Sequence, residues 1–280
     1  MLSACATIRL RFMSNRHIYN RQRRDNFCLC QSTKRIIAGL LSFLCGLSTV
    51  GCGEVPFRDE RVRIVAFGDS ATAGPSDSAY PQQLETLLDV PDGTVANEGQ
   101  SGETAGEGLE RLSEILKCSR YPNAETWLYW EGGNDVSDFI AEIDPFLTTA
   151  PGSPDYMFAA EWGSTLDGVE QSVTTAVDQI AATGARVIVM TYYRLREGMG
   201  YCPAIPIPMI LPGQVEIANV YILQLNDRIR RVARRSPAFL VDVELLDTEL
   251  QADPSHFVNC NHLAGSGNEI VAGAVLAVLE

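Results

Sequence analysis

The sequence predicts an α/β domain with one doubly wound, five-stranded parallel sheet and helices on both faces. Two observations predict it. Short runs of β-branched and aromatic residues recur along the chain, and a segment with helical spacing of apolar residues separates each run from the next. The runs are apolar throughout rather than alternating, as befits strands buried on both faces.

The first strand is expected over Val62 to Phe67, stopped by Gly68-Asp69-Ser70. In an open α/β sheet, ligands sit outside the carboxyl ends of the strands, so Ser70 stands where a nucleophile would be wanted. Tyr80 to Leu88 reads as a helix with Pro81 in its first turn, and Val95 to Asn97 as a second strand. Thr104-Ala105-Gly106-Glu107 is a capping box, opening a helix with Leu109, Leu112, Ile115 and Leu116 on one face. Thr126 to Trp130 is the third strand, ended by Gly132-Gly133-Asn134-Asp135. Residues 144–163 look like an excursion from the core. A helix is expected from about Thr165 to Thr183, stopping at Gly184, then a fourth strand from Arg186 to Thr191. Val215 to Arg235 is helical; its Arg230, Arg231, Arg234 and Arg235 read as solvated charges complementing the helix's negative end. Phe239 to Val243 is the fifth strand and Asn268 to Leu279 the closing helix. The expected whole is a single domain, flavodoxin-like in its winding, over residues 62–280.

Between Met199 and Pro212 lies an apolar stretch with four prolines, neither regular helix nor central strand. Such a loop reads as a lid or binding wall, the alternative being a loop packed flat on the body.

The formal charge of -13 argues against nucleic acid and against a generic anionic partner. It is unevenly spread. Residues 1–35 hold eight of the 22 basic residues and one of the 35 acidic ones. Behind that basic head, Ile36 to Cys52 is an apolar run shorter than the ~20 residues a spanning helix needs. Residues 1–52 therefore read as a basic head plus export signal, and 53–61 as a short linker. The head is long for a signal, which puts the expected start at Met13 or later. Thr49-Val50-Gly51-Cys52 resembles a bacterial lipoprotein cleavage box with Cys52 as the lipid-bearing residue; ordinary cleavage nearby is the alternative. The expected location is periplasmic or extracellular, with membrane attachment only through such an anchor. Cys118, Cys202 and Cys260 lack the close pairing of a zinc site. In an exported chain, Cys202–Cys260 is the preferred bridge, both lying in late, loop-like segments.

Four short stretches carry chemistry. Gly68-Asp69-Ser70 offers the hydroxyl. In Ser101-Gly102-Glu103-Thr104, a strand gives way to a helix whose unpaired N–H groups suit a developing negative charge. Gly132-Gly133-Asn134-Asp135 could add a side-chain amide donor to the same oxyanion. Asn259-Cys260-Asn261-His262 places a histidine just before the last helix. Singly, each has a plain reading: a turn, a helix cap, a loop histidine. Together, in this order, they resemble the blocks of the SGNH hydrolases, the GDSL-type esterases and lipases, over roughly residues 62–279.

The resemblance implies that Ser70 attacks an acyl carbonyl and His262 takes its proton. The N–H groups of Ser70 and Gly102, with the Asn134 amide, would hold the oxyanion. It implies no metal and no organic cofactor, and a small-molecule, lipid or glycan ester as substrate. One position departs from the pattern. The family has Asp three residues before the histidine, and here stands Asn259, which can orient the ring but brings no charge. A rival pair, Asp253 and His256, is a literal Asp-x-x-His, though the following glycine and helix are phased to His262. The leading expectation is an exported esterase for small to medium acyl groups. A polysaccharide O-acetylesterase is the alternative, and a catalytically weakened glycan-binding surface lipoprotein the alternative of another class.

Overall fold

The structure, a computed structural model, describes residues 58–75, 78–199, 202–203 and 213–280. The expected export signal, the linker up to residue 57 and most of the apolar Pro-rich stretch lie outside the described residues.

Five parallel strands form one sheet in the order β2-β1-β3-β4-β5. They are β1 (Ile64–Gly68), β2 (Val95–Gly99), β3 (Thr126–Trp130), β4 (Arg186–Met190) and β5 (Phe239–Val241). Every residue of β1 and β3 is buried, as their unbroken apolar runs require, whereas β2 and β5 are sheet edges and partly open. The helices are α1 (Ser70–Ala73), α2 (Tyr80–Leu87), α3 (Ala105–Lys117), α4 (Gly133–Glu142), α5 (Ala159–Ala181), α6 (Gln214–Arg235), α7 (Asp247–Ala252) and α8 (Gly265–Leu279). On one face α2 packs on α8. On the other, α3, α5 and α6 pack in turn on one another, with α4 against α5 and α6. The strand order reverses its direction of growth at β1, whose neighbours are β2 and β3, so the loops after those three strands face a common crevice.

Several expectations need correction. The segment after β3 is a helix, α4, and α5 starts six residues before the expected Thr165. The stretch between them is no excursion. Leu147 and Tyr156 are buried, and the Tyr221 hydroxyl donates to Asp144 Oδ2 (2.6 Å) while standing 2.8 Å from the Tyr156 hydroxyl. Strand β5 ends at Val241, where Asp242 turns into a 3-10 helix over Val243–Leu246 and then α7. The arginines of α6 are only partly solvated. Arg230 forks onto Asp242 (2.7 and 2.8 Å) and also reaches Glu244 (2.7 Å), while Arg228 and Arg231 reach Glu170 of α5. These arginines face a neighbouring helix and strand end, and fork geometry favours carboxylates.

The backbone of α1 lies directly against the end of β2. A methyl group on Gly99 would run into the backbone of Ala73 and Thr72, and one on Gly68 into Thr72 and the Trp130 carbonyl. Gly99→Ala is therefore expected to displace α1 and destabilise the fold by about 1–3 kcal/mol, the usual cost of overpacking. Urea unfolding of the variant checks this.

Candidate active site

Strand register sets the site. Gly68 of β1 is level with Gly99 of β2 and Trp130 of β3, so Ser70, Gly102 and Asn134 follow from three adjacent strand ends. The ladder carries on past the strands: Asp69 N–H donates to the Trp130 carbonyl (3.1 Å) and Gln100 N–H to the Gly68 carbonyl (2.8 Å).

Ser70 opens α1, where helical N–H groups have no partner within the helix. Asp69 caps it. One carboxylate oxygen accepts Ala71 N–H (2.8 Å), the other the Tyr192 hydroxyl (2.7 Å). Burial raises the Asp69 pKa to about 6, so both bonds are to a carboxylate at neutral pH. Gly102 is the third residue of the turn Gln100–Glu103, closed by Glu103 N–H to the Gln100 carbonyl, with φ +85°. That sign at the third turn position favours glycine. Its backbone is exposed. Asn134, in the first turn of α4, gives one amide N–H to the Glu103 carbonyl (2.8 Å), leaving its second N–H for another acceptor. Asp135 Oδ2 accepts Ala105 N–H (2.8 Å), and burial raises its pKa to about 6.

His262 comes from a short loop before α8. An antiparallel bridge between Phe257 and Leu263 closes that loop, with Val258 N–H donating to the His262 carbonyl (2.8 Å). The Tyr193 hydroxyl donates to the Asn261 carbonyl (2.7 Å) and Arg196 N–H to the Cys260 carbonyl (2.8 Å). A disulfide joins Cys260 to Cys202, the preferred pairing. Thus held, His262 Nε2 lies 3.0 Å from Ser70 Oγ. On its other side Nδ1 lies 3.0 Å from Asn259 Nδ2 and 3.2 Å from Asn259 Oδ1. Burial lowers the His262 pKa below 6.5, so the ring is mainly neutral at pH 7 and has a lone pair to offer. Such a pair can pass a proton from hydroxyl to imidazole.

Asp253 and His256 are placed elsewhere. The Asp253 side chain accepts Ser255 N–H (2.8 Å), and His256 Nδ1 stands 2.9 Å from Ser266 Oγ. The structure joins Ser70 to His262.

The sequence carries a second line of evidence. A family model described as the GDSL-like lipase/acylhydrolase family matches residues 66–270. The chain belongs to the GDSL-like lipase/acylhydrolase family, whose members are ester hydrolases. Its fold is similar to that of a lipolytic G-D-S-L protein from Veillonella parvula (13% identity, TM-score 0.54, 78% of this chain and 97% of that one). It is similar, too, to that of AlAXEase, an acetyl xylan esterase (17% identity, TM-score 0.55, 78% and 100%). A third is the lipase/acylhydrolase from Enterococcus faecalis (19% identity, TM-score 0.53, 78% and 95%). At such identities the likeness is one of fold. No curated protein matches the chain.

In this GDSL-like chain, several residues that no sequence motif marks support the site. Arg111 forks onto Glu103 and donates to the Glu98 carbonyl (3.0 Å), clamping the loop that carries Gly102. Buried Asn268 accepts Tyr80 N–H (3.1 Å) and donates to the Leu263 and Ala264 carbonyls (3.1 and 3.0 Å), tying the histidine loop to α2. Tyr192 and Tyr193 each spend a hydroxyl on the site. A pair of tyrosines directly after a buried strand was the one available signal; Arg111 and Asn268 carry none.

Replacing Cys202 and Cys260 together by serine is expected to lower stability by about 2–4 kcal/mol. Turnover should fall with it, since the bridge anchors the loop two residues from His262. Thermal unfolding and ester hydrolysis with and without reductant measure both.

Proposed function

We propose that this chain is an exported serine esterase, cleaving carboxylic esters of small to medium acyl groups through an acyl-enzyme on Ser70. The observation that carries the reading is the 3.0 Å contact between Ser70 Oγ and His262 Nε2, made by residues 192 positions apart. Ser70 Oγ attacks the acyl carbonyl as His262 Nε2 takes its proton. The carbonyl oxygen becomes an oxyanion, facing the N–H groups of Ser70 and Gly102 and the second N–H of Asn134. Collapse breaks the ester bond, and the departing alcohol takes the proton from His262. Water then repeats the sequence on the acyl-enzyme, releasing the acid and restoring Ser70.

Export draws support from the basic head, the apolar run up to Cys52 and the Cys202–Cys260 bridge, which belongs to an oxidising compartment. Attachment through a lipid on Cys52 is part of the same proposal. The likeness in fold to an acetyl xylan esterase keeps a polysaccharide O-acetylesterase as a second reading. A chain-length series of p-nitrophenyl esters separates the two, because activity on acetyl esters alone favours the second. A weakened glycan-binding lipoprotein would instead show glycan binding without labelling by a fluorophosphonate.

Ser70→Ala should reduce p-nitrophenyl acetate turnover to background; unchanged turnover would sink the esterase reading. Asn134→Ala should cost ~100- to 1000-fold in kcat, the usual loss for one oxyanion donor. His262→Ala should abolish turnover and His256→Ala leave it near wild type. The neutral imidazole is the working form, and burial lowers its pKa. The acid limb of kcat/KM should therefore have its midpoint below 6.5, rising to a plateau toward neutral pH.

A further inference from the structure

The position three residues before His262 suits a carboxylate, which accepts on both oxygens. The Asn259 amide has one acceptor atom, and the loop has already claimed it. Oδ1 accepts the backbone N–H of Asn261 (3.1 Å) and that of His262 (3.0 Å). Turning the amide over would set an NH2 against two N–H donors, so these two bonds fix which way it faces. Nδ2 is thereby aimed at the ring, 3.0 Å from Nδ1, with Oδ1 slightly farther at 3.2 Å.

The two neutral tautomers of His262 fare differently in that setting. With the proton on Nε2, bare Nδ1 accepts from Asn259 Nδ2–H, and the two facing nitrogens are matched donor to acceptor. The ring then donates to Ser70 Oγ, which is the wrong direction for a base. With the proton on Nδ1, that N–H meets the Nδ2 donor and must share an oxygen that already holds two N–H groups. Only this second tautomer offers Nε2 to the serine proton. Among the described residues, the hydrogen-bond partners of the ring's nitrogens are Ser70 and Asn259, so no carboxylate offsets the preference.

We propose that Asn259 biases His262 toward the Nε2–H tautomer and so acts as a brake on the Ser70–His262 pair. This rests on the esterase reading. Asn259 is a positioning residue acting through the histidine, and its effect falls on turnover rather than on substrate binding. An aspartate there would keep one oxygen on the two backbone N–H groups, turn the other to Nδ1–H, and add a charge that stabilises the imidazolium. In a serine triad the amide-for-carboxylate exchange costs up to ~10,000-fold, largely through the wrong tautomer.

The test uses the full chain labelled with 15N-histidine, with His17→Gln and His256→Gln to assign the resonances, and p-nitrophenyl acetate as substrate. In the wild type above its imidazole pKa, His262 is expected to show a protonated Nε2 and a bare Nδ1. In Asn259→Asp the proton should move to Nδ1. kcat should then rise at least ~10-fold within the ~10,000-fold ceiling, with KM little changed. A wild-type ring protonated on Nδ1, or a folded Asn259→Asp protein whose kcat is unchanged or lower, overturns the brake. Should that variant not fold, the wild-type spectrum alone decides. The outcome for Ser70→Ala judges the esterase reading separately, because the tautomer is read whether or not the serine turns over.

Discussion

The approach of one backbone to another at the carboxyl edge of the sheet is the constraint on which this protein depends. The single turn that carries Ser70 lies so close to the end of β2 that Gly99 has no space for a methyl group, and Gly68 has none beside β3. A side chain at either position would push α1 away from the sheet and carry the serine out of line with the histidine. The fold thus gives up packing volume at two strand ends to bring three loops together.

What those loops lose in apolar contact they regain in buried hydrogen bonds. Asp69 ties α1 to β4 through Tyr192, Arg111 ties the Gly102 loop to α3 through Glu103, and Asp135 ties α4 to the start of α3. Glu131 sits among them, 1% exposed, and burial raises its pKa well above the ordinary carboxylate range. Burial thus favours its neutral form beside the Asp69 carboxylate, which lessens repulsion within a cluster of acids beneath the site.

The layout of sheet and site was legible because both rest on local patterns. Buried strands announce themselves as apolar runs, capping boxes as Thr-x-x-Glu, and site residues fall just past strand ends. The sequence gives no range for α4 or α7, whose openings, Gly-Gly-Asn-Asp and Asp-Thr-Glu, carry no hydrophobic period. From sequence Arg230 looks solvated, because its partners Asp242 and Glu244 belong to a strand end that folds back beside it. Asn259 was visible as a departure, but which face its amide turns to the ring depends on the N–H groups of Asn261 and His262, and no spacing encodes that.

Ser70 and His262 are separated by 192 positions, and the clamp between Asn268 and Tyr80 spans 188. Contacts this distant close late, because the chain between them must be ordered first. Ser70 is made early in the domain, and its partner His262 follows 192 positions later. A nascent or truncated chain therefore carries Ser70 as an ordinary alcohol. On the esterase reading proposed above, a chain whose histidine loop has not yet docked beside Ser70 would be inert toward esters.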